Sequence, residues 1–76
     1  MNFQEEVNNF VNNLLNKIDD DERDEMLMSD NLKEKLKSEV QNELEDDERF
    51  EGFLLSREDL LSNLLNRIEK EWEVNL

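Results

Sequence analysis

The sequence predicts an all-α protein with three main helices, and three observations predict it. Apolar residues recur at offsets of three and four in three separate stretches. Between the stretches stand helix start and stop residues. Thr and Tyr are absent and no window alternates apolar with polar, so the chain lacks strand signals.

The first stripe is Phe3, Val7, Phe10, Val11, Leu14, Leu15 and Ile18. These offsets put all seven on one face of a helix. Gln4, Glu5, Glu6, Asn8, Asn9, Asn12 and Asn13 form the wet face opposite. The helix is expected from about Phe3 to Asp19, fraying into the acidic run Asp19, Asp20, Asp21, Glu22, Arg23, Asp24, Glu25. Met26, Leu27 and Met28 then read as an apolar turn tucked against the core.

Ser29 and Asp30 are N-cap candidates for the second helix, whose apolar positions are Leu32, Leu36, Val40 and Leu44. A strict spacing of four drifts by ~40° per step on a helix of 3.6 residues per turn, so this stripe is narrow and winds. Lys33, Lys35 and Lys37 stand beside it. The helix runs into a second acidic run, Glu45, Asp46, Asp47, Glu48, Arg49, Phe50, Glu51. Gly52, the only glycine, reads as the stop, because Gly takes the left-handed C′ conformation freely.

Phe53, Leu54 and Leu55 form an apolar connector, and Ser56-Arg57-Glu58-Asp59 reads as a capping box with Asp in place of the usual Glu. The third helix carries Leu60, Leu61, Leu64, Leu65, Ile68 and Trp72. The expected core is Leu14, Leu15, Ile18, Leu36, Val40, Leu61, Leu64, Leu65 and Ile68. Asn13-Leu14-Leu15-Asn16-Lys17-Ile18-Asp19 is echoed by Asn63-Leu64-Leu65-Asn66-Arg67-Ile68-Glu69, and Asp20-Asp21-Glu22-Arg23 by Asp46-Asp47-Glu48-Arg49. A restricted residue alphabet and a shared amphipathic solution account for both echoes better than duplication of a segment. The first and third helices thus present similar faces, able to pack on each other or on a second subunit.

At 76 residues the chain reads as one acidic helical domain, 1–76. A core of this size is worth ~3–5 kcal/mol, and small scaffolds usually add disulfides, a metal or oligomerisation. There is no Cys and no His, so self-association is the expected remedy, as a homodimer. The N-terminus has no basic region or apolar run, and no apolar run exceeds three residues, so neither a signal peptide nor a membrane span is expected. The expected location is cytoplasmic. Ala and Pro, with GC-rich codons, are absent, while Asn, with AT-rich codons, appears eleven times, which points to a low-GC bacterium or its phage.

Twenty-two acids against nine bases give a net charge of -13. Such a chain does not neutralise phosphates, so nucleic acid and anionic membrane are not its expected partners. Without Cys or His it has no thiolate, no imidazole base and no usual zinc site, and no enzyme activity or cofactor is expected. Paired carboxylates run glycoside hydrolysis only in a concave pocket, which a chain this small hardly offers. The acidic runs lack the loop glycine and the glutamate at position twelve of a helix–loop–helix calcium site. Phe3 and Phe10 read as core. Phe50, Phe53 and Trp72 are candidate apolar anchors at an exposed interface.

The charge itself remains. Acids three and four apart on a helix lie ~5–6 Å from one another, and phosphates along a DNA strand advance ~3.4 Å per step. A rigid helix with an acidic face therefore presents carboxylates at nearly phosphate-like density. The candidate partner-binding surface is Asp19, Asp20, Asp21, Glu22, Asp24, Glu25, Glu45, Asp46, Asp47, Glu48 and Glu51, with Glu5, Glu6, Glu58, Asp59, Glu69, Glu71 and Glu73 on the helices. In this charge pattern, spread over the whole chain and not set in a motif, the sequence resembles small acidic phage proteins that mimic DNA. The resemblance implies binding to a host DNA-binding protein in the bacterial cytoplasm, often as a dimer. Restriction enzymes, nucleoid proteins, CRISPR effectors, uracil-DNA glycosylase and the replication sliding clamp are the targets of such mimics. The sliding clamp is preferred, since its basic channel admits duplex DNA. The usual clamp-binding peptide, Gln followed by a Leu–Phe ending, is not evident, so the implied mode is channel blockade. A helical adaptor that uses its apolar faces is the alternative.

Overall fold

In the computed structural model, which describes residues 2–76, the chain forms four α-helices and, among the described residues, no strand. They are α1 (Phe3–Lys17), α2 (Asp20–Leu27), α3 (Leu32–Glu45) and α4 (Arg57–Trp72). The all-α expectation holds. The expected count of three helices does not, because the first acidic run is a helix of its own.

The reason lies at Ile18 and Asp19. Ile18 is extended and closes α1 by donating its N–H to the Leu15 carbonyl. Asp19, also extended, accepts from the Glu22 amide at 2.7 Å and caps a new helix. Asp20, Asp21 and Glu22 then fill a first turn where the helix dipole favours negative charge. What reads in the sequence as a fraying tail is a capped two-turn helix.

The second expected helix starts later and stops earlier than its signals suggest. Asn31, not Ser29 or Asp30, occupies the N-cap, and its side chain makes no capping bond. The Ser29 hydroxyl instead accepts from the Asn31 amide at 3.1 Å, shaping the turn before α3. The helix ends at Glu45, and Gly52 is not its stop. Gly52 has no positive φ and open space where a Cβ would sit. The left-handed residue is Glu73, which closes α4 at φ 55° and ψ 45°. Ser56 caps α4 as expected, accepting from the Asp59 amide at 3.1 Å.

One core joins the helices. Val7, Phe10, Val11 and Leu14 of α1, Leu36, Val40 and Leu44 of α3, and Leu60, Leu61, Leu64, Leu65 and Ile68 of α4 are buried in it. Helix α4 packs against both α1 and α3, and α2 packs on α3, contributing Met26. The spacing of four along α3 does give a buried face, with Leu32 at its half-buried end. Leu15 and Ile18, expected in the core, lie half-buried at its edge. Phe50 enters from the connector after α3 and meets Phe3 and Phe10 edge-on, with ring centroids 6.1 and 5.7 Å apart. Edge-to-face pairs of this kind add ~0.5–1.5 kcal/mol beyond area burial. No side-chain polar group is left buried without a partner among the described residues.

Candidate functional site

The first acidic run is built on α2. Asp19, Asp20, Asp21, Glu22, Asp24 and Glu25 are all exposed. Consecutive helical positions fan them around the axis, and only Met26 turns inward. Arg23 is the sole cation there. Its guanidinium stands 3.7 Å from Asp20 and 3.8 Å from Asp24, too far for well-made hydrogen bonds. The run therefore presents a strongly negative field without a close ion pair, with Lys35 of α3 across a groove from Glu22 and Glu25.

The second run is mixed. Glu45, Asp46, Glu48 and Glu51 are exposed. Asp47 is half-buried and committed inward: Arg49 donates its backbone N–H at 2.9 Å and its Nε–H at 3.0 Å to Asp47 Oδ1. The Arg49 guanidinium carbon in turn lies 5.7 Å from the centre of the Phe10 ring. Asp47 thus pins the connector and is not a free surface carboxylate. The expectation of Phe50 as an exposed anchor is corrected for the same reason, since this turn delivers its ring into the core at 7% exposure. Phe53 is half-buried against Phe3, with centroids 5.1 Å apart. Trp72, half-buried at the end of α4, keeps an accessible face.

The two runs do not share one pocket. The C-terminal half of α1 lies between them, and Asn16 lines a groove on each side. One groove reaches Asp19 and Asp20, and the other reaches Glu43, Asp46 and Asp47. Lys17 of α1 bonds both carboxylate oxygens of Glu43 at 3.0 Å, tying α1 to the end of α3. Lys35 of α3 lines a groove with Glu22, Glu25 and Glu39, so cations stand beside the first run as well. Lys33, Lys35 and Lys37 are exposed, and none lies within ion-pair distance of an acid among the described residues.

Across the whole chain, seventeen of the 22 acids are exposed, five are half-buried and none is buried. Such a surface supplies acceptors for basic side chains. Among the described residues no three acids converge where a metal ion would be held. No family model, curated protein or solved structure matches the chain. The functional reading rests on this surface alone.

Sequence reasoning singled out Trp72 but missed the accessible apolar surface that it shares with Leu15 and Ile18. Its signal was the width of the α1 stripe, seven apolar residues, more than the neighbouring helices cover. Leu54 and Leu55, on the connector, and Met28, after α2, are exposed as well. No helix among the described residues is long and apolar enough to cross a membrane.

Proposed function

We propose that the chain is a DNA-mimicking inhibitor whose acidic surface occupies the DNA site of a host protein, the sliding clamp being the preferred target. The observation that carries this reading is charge per unit length. The molecule measures 36 × 21 × 21 Å. Its long axis matches one turn of duplex DNA, ~34–36 Å. Twenty-two acids over 36 Å amount to about one per 1.6 Å, and duplex DNA carries one charge per ~1.7 Å. Thirteen net charges over the same length amount to about one per 2.8 Å, so the nine bases soften the match without reversing it.

On a clamp, the body would stand in the basic channel and exclude duplex DNA, with electrostatic steering giving fast, salt-sensitive association. A nucleoid protein, CRISPR effector or restriction enzyme presents similar chemistry and is the alternative target. A homodimer belongs to the same proposal, supported by the exposed Leu54 and Leu55, since exposed apolar surface marks contact sites. The reading of the chain as a helical adaptor is favoured by one observation, the accessible face of Trp72.

The test is a pull-down from bacterial lysate at low and high salt, repeated with a variant carrying Lys at Asp20, Asp21, Asp24, Glu25, Glu45, Asp46 and Glu48. The expected result is capture of a DNA-binding protein, release by salt, and loss of capture by a variant that remains helical. Equal capture by the variant at low salt overturns the mimicry reading. Retention of a partner that does not bind DNA at high salt favours the adaptor.

A further inference from the structure

Between the end of α1, the start of α2 and the end of α4 lies an open groove of about 620 Å³. Leu15, Ile18 and Trp72 are the apolar part of its floor, beside the polar Asn12 and Asn16. They stay half-exposed because α2, at eight residues, spans only ~12 Å and cannot cover the edge of the core. Past Arg23 the groove continues into a smaller depression that adds Leu27, itself 37% exposed. The rim is acidic. Asp19, Asp20 and Glu71 border the groove, and Asp24 and Glu73 border its extension. All five are exposed. Arg23 is the one base on the lining, held loosely at 3.7–3.8 Å from Asp20 and Asp24.

We infer that this groove seats a basic amphipathic segment of the partner protein, with apolar side chains on Leu15, Ile18 and Trp72 and Lys or Arg on the rim carboxylates. Charge complementarity selects this occupant. The rim carboxylates, of which Asp19 also caps α2 and Glu71 also meets Arg67 at 3.3 Å, outnumber the bases and repel phosphate and acidic peptides. A two-fold dimer through this face would set the same rim against itself. A basic segment with an apolar face satisfies floor and rim together. The inference rests on the acidic-surface reading and gives that surface a defined point of contact.

Trp72 is the only tryptophan, so its emission reads the groove directly. The full chain is titrated at low salt with two tryptophan-free probes, an 18-residue Leu/Lys helix with its leucines on one face and an 18-residue oligolysine. Both probes are expected to bind, and only the amphipathic one to shift Trp72 emission to the blue. The surface variants Asp20→Lys with Glu71→Lys should weaken the amphipathic probe at least tenfold. Leu15→Gln should weaken it several-fold while leaving oligolysine affinity unchanged, with circular dichroism confirming that the variant is folded. Binding of both probes without an emission shift, or full affinity in Leu15→Gln, overturns the groove while leaving the acidic-surface reading intact. Failure of both probes to bind removes the acidic-surface reading as well. A blue shift that grows with protein concentration in the absence of probe, with a dimer in sedimentation, assigns the groove to a second copy and overturns the inference.

Discussion

Three acids work against the helices that carry them. Glu25 lies in the last turn of α2, Glu45 is the last residue of α3, and Asp46 is the α3 C-cap. Neither helix has a base in its last turn. The unsatisfied carbonyls there carry partial negative charge, and a carboxylate beside them costs ~0.3–1 kcal/mol at low salt. None of the three side chains has an ion pair to lose among the described residues. The triple variant E25Q/E45Q/D46N is therefore expected to be more stable by about 1–3 kcal/mol at low ionic strength. In a domain of this size each kcal/mol moves Tm by ~4–8 °C, so Tm should rise by roughly 5–20 °C. The gain should shrink in 1 M salt, where the screening length falls to ~3 Å. Thermal melts followed by circular dichroism at 10 mM and 1 M NaCl read both effects. The same variant should bind its target more weakly, having lost three exposed negative charges. An unchanged or lower Tm at low salt refutes the reasoning: the acids would then cost the fold nothing, and their retention would need no functional explanation.

Other expectations follow from single contacts. Leu64 is fully buried at the α4 face of the core. Leu64→Ala should cost ~2–5 kcal/mol, comparable with the ~3–5 kcal/mol a core of this size supplies, and denaturant melts should lose their folded baseline. Asp19→Ala removes the cap of a helix that buries only Met26. It should cost ~0.5–2 kcal/mol locally, seen as faster amide exchange across residues 20–27 while α4 stays protected. Glu73 holds a left-handed conformation better suited to Gly. Glu73→Gly should raise Tm by a few degrees, consistent with the ~1–2 kcal/mol cost of that conformation for an L-residue, and a lower Tm would contradict this account of the α4 terminus. Asp47→Ala should unpin the connector and expose Phe50, read as a lower Tm with little change in target affinity.

The sequence made the helical class and most of the core legible because the stripes in α1 and α4 repeat at three and four. Phe10, Leu14, Leu61, Leu64 and Ile68 are buried as their spacing implies. What it hid was electrostatic and local. A run of like charges reads as a solvated tail unless its first residue is recognised as a cap, and Asp19 is that cap. Gly52 looked like a stop because glycine is permissive, but permission is not use: the chain turns earlier, where Asp47 gathers the Arg49 donors. That same turn sends Phe50 inward, which no periodicity encodes. Of the candidate surface, ten of the eleven acids are exposed and Asp47 is not. Trp72 was singled out as an aromatic anchor, but the groove it lines depends on how α1, α2 and α4 converge, which spacing along one helix does not specify.

The central claim is that the acidic surface stands in for DNA. Its most direct test is equilibrium competition, in which a DNA-binding protein captured by this chain, or the purified sliding clamp, is loaded with labelled duplex DNA and titrated with the acidic chain across a range of NaCl. The expected result is mutually exclusive binding, with an inhibitor affinity that falls linearly on a log–log plot against salt. A ternary complex in which DNA stays bound, or an affinity indifferent to salt, contradicts the account.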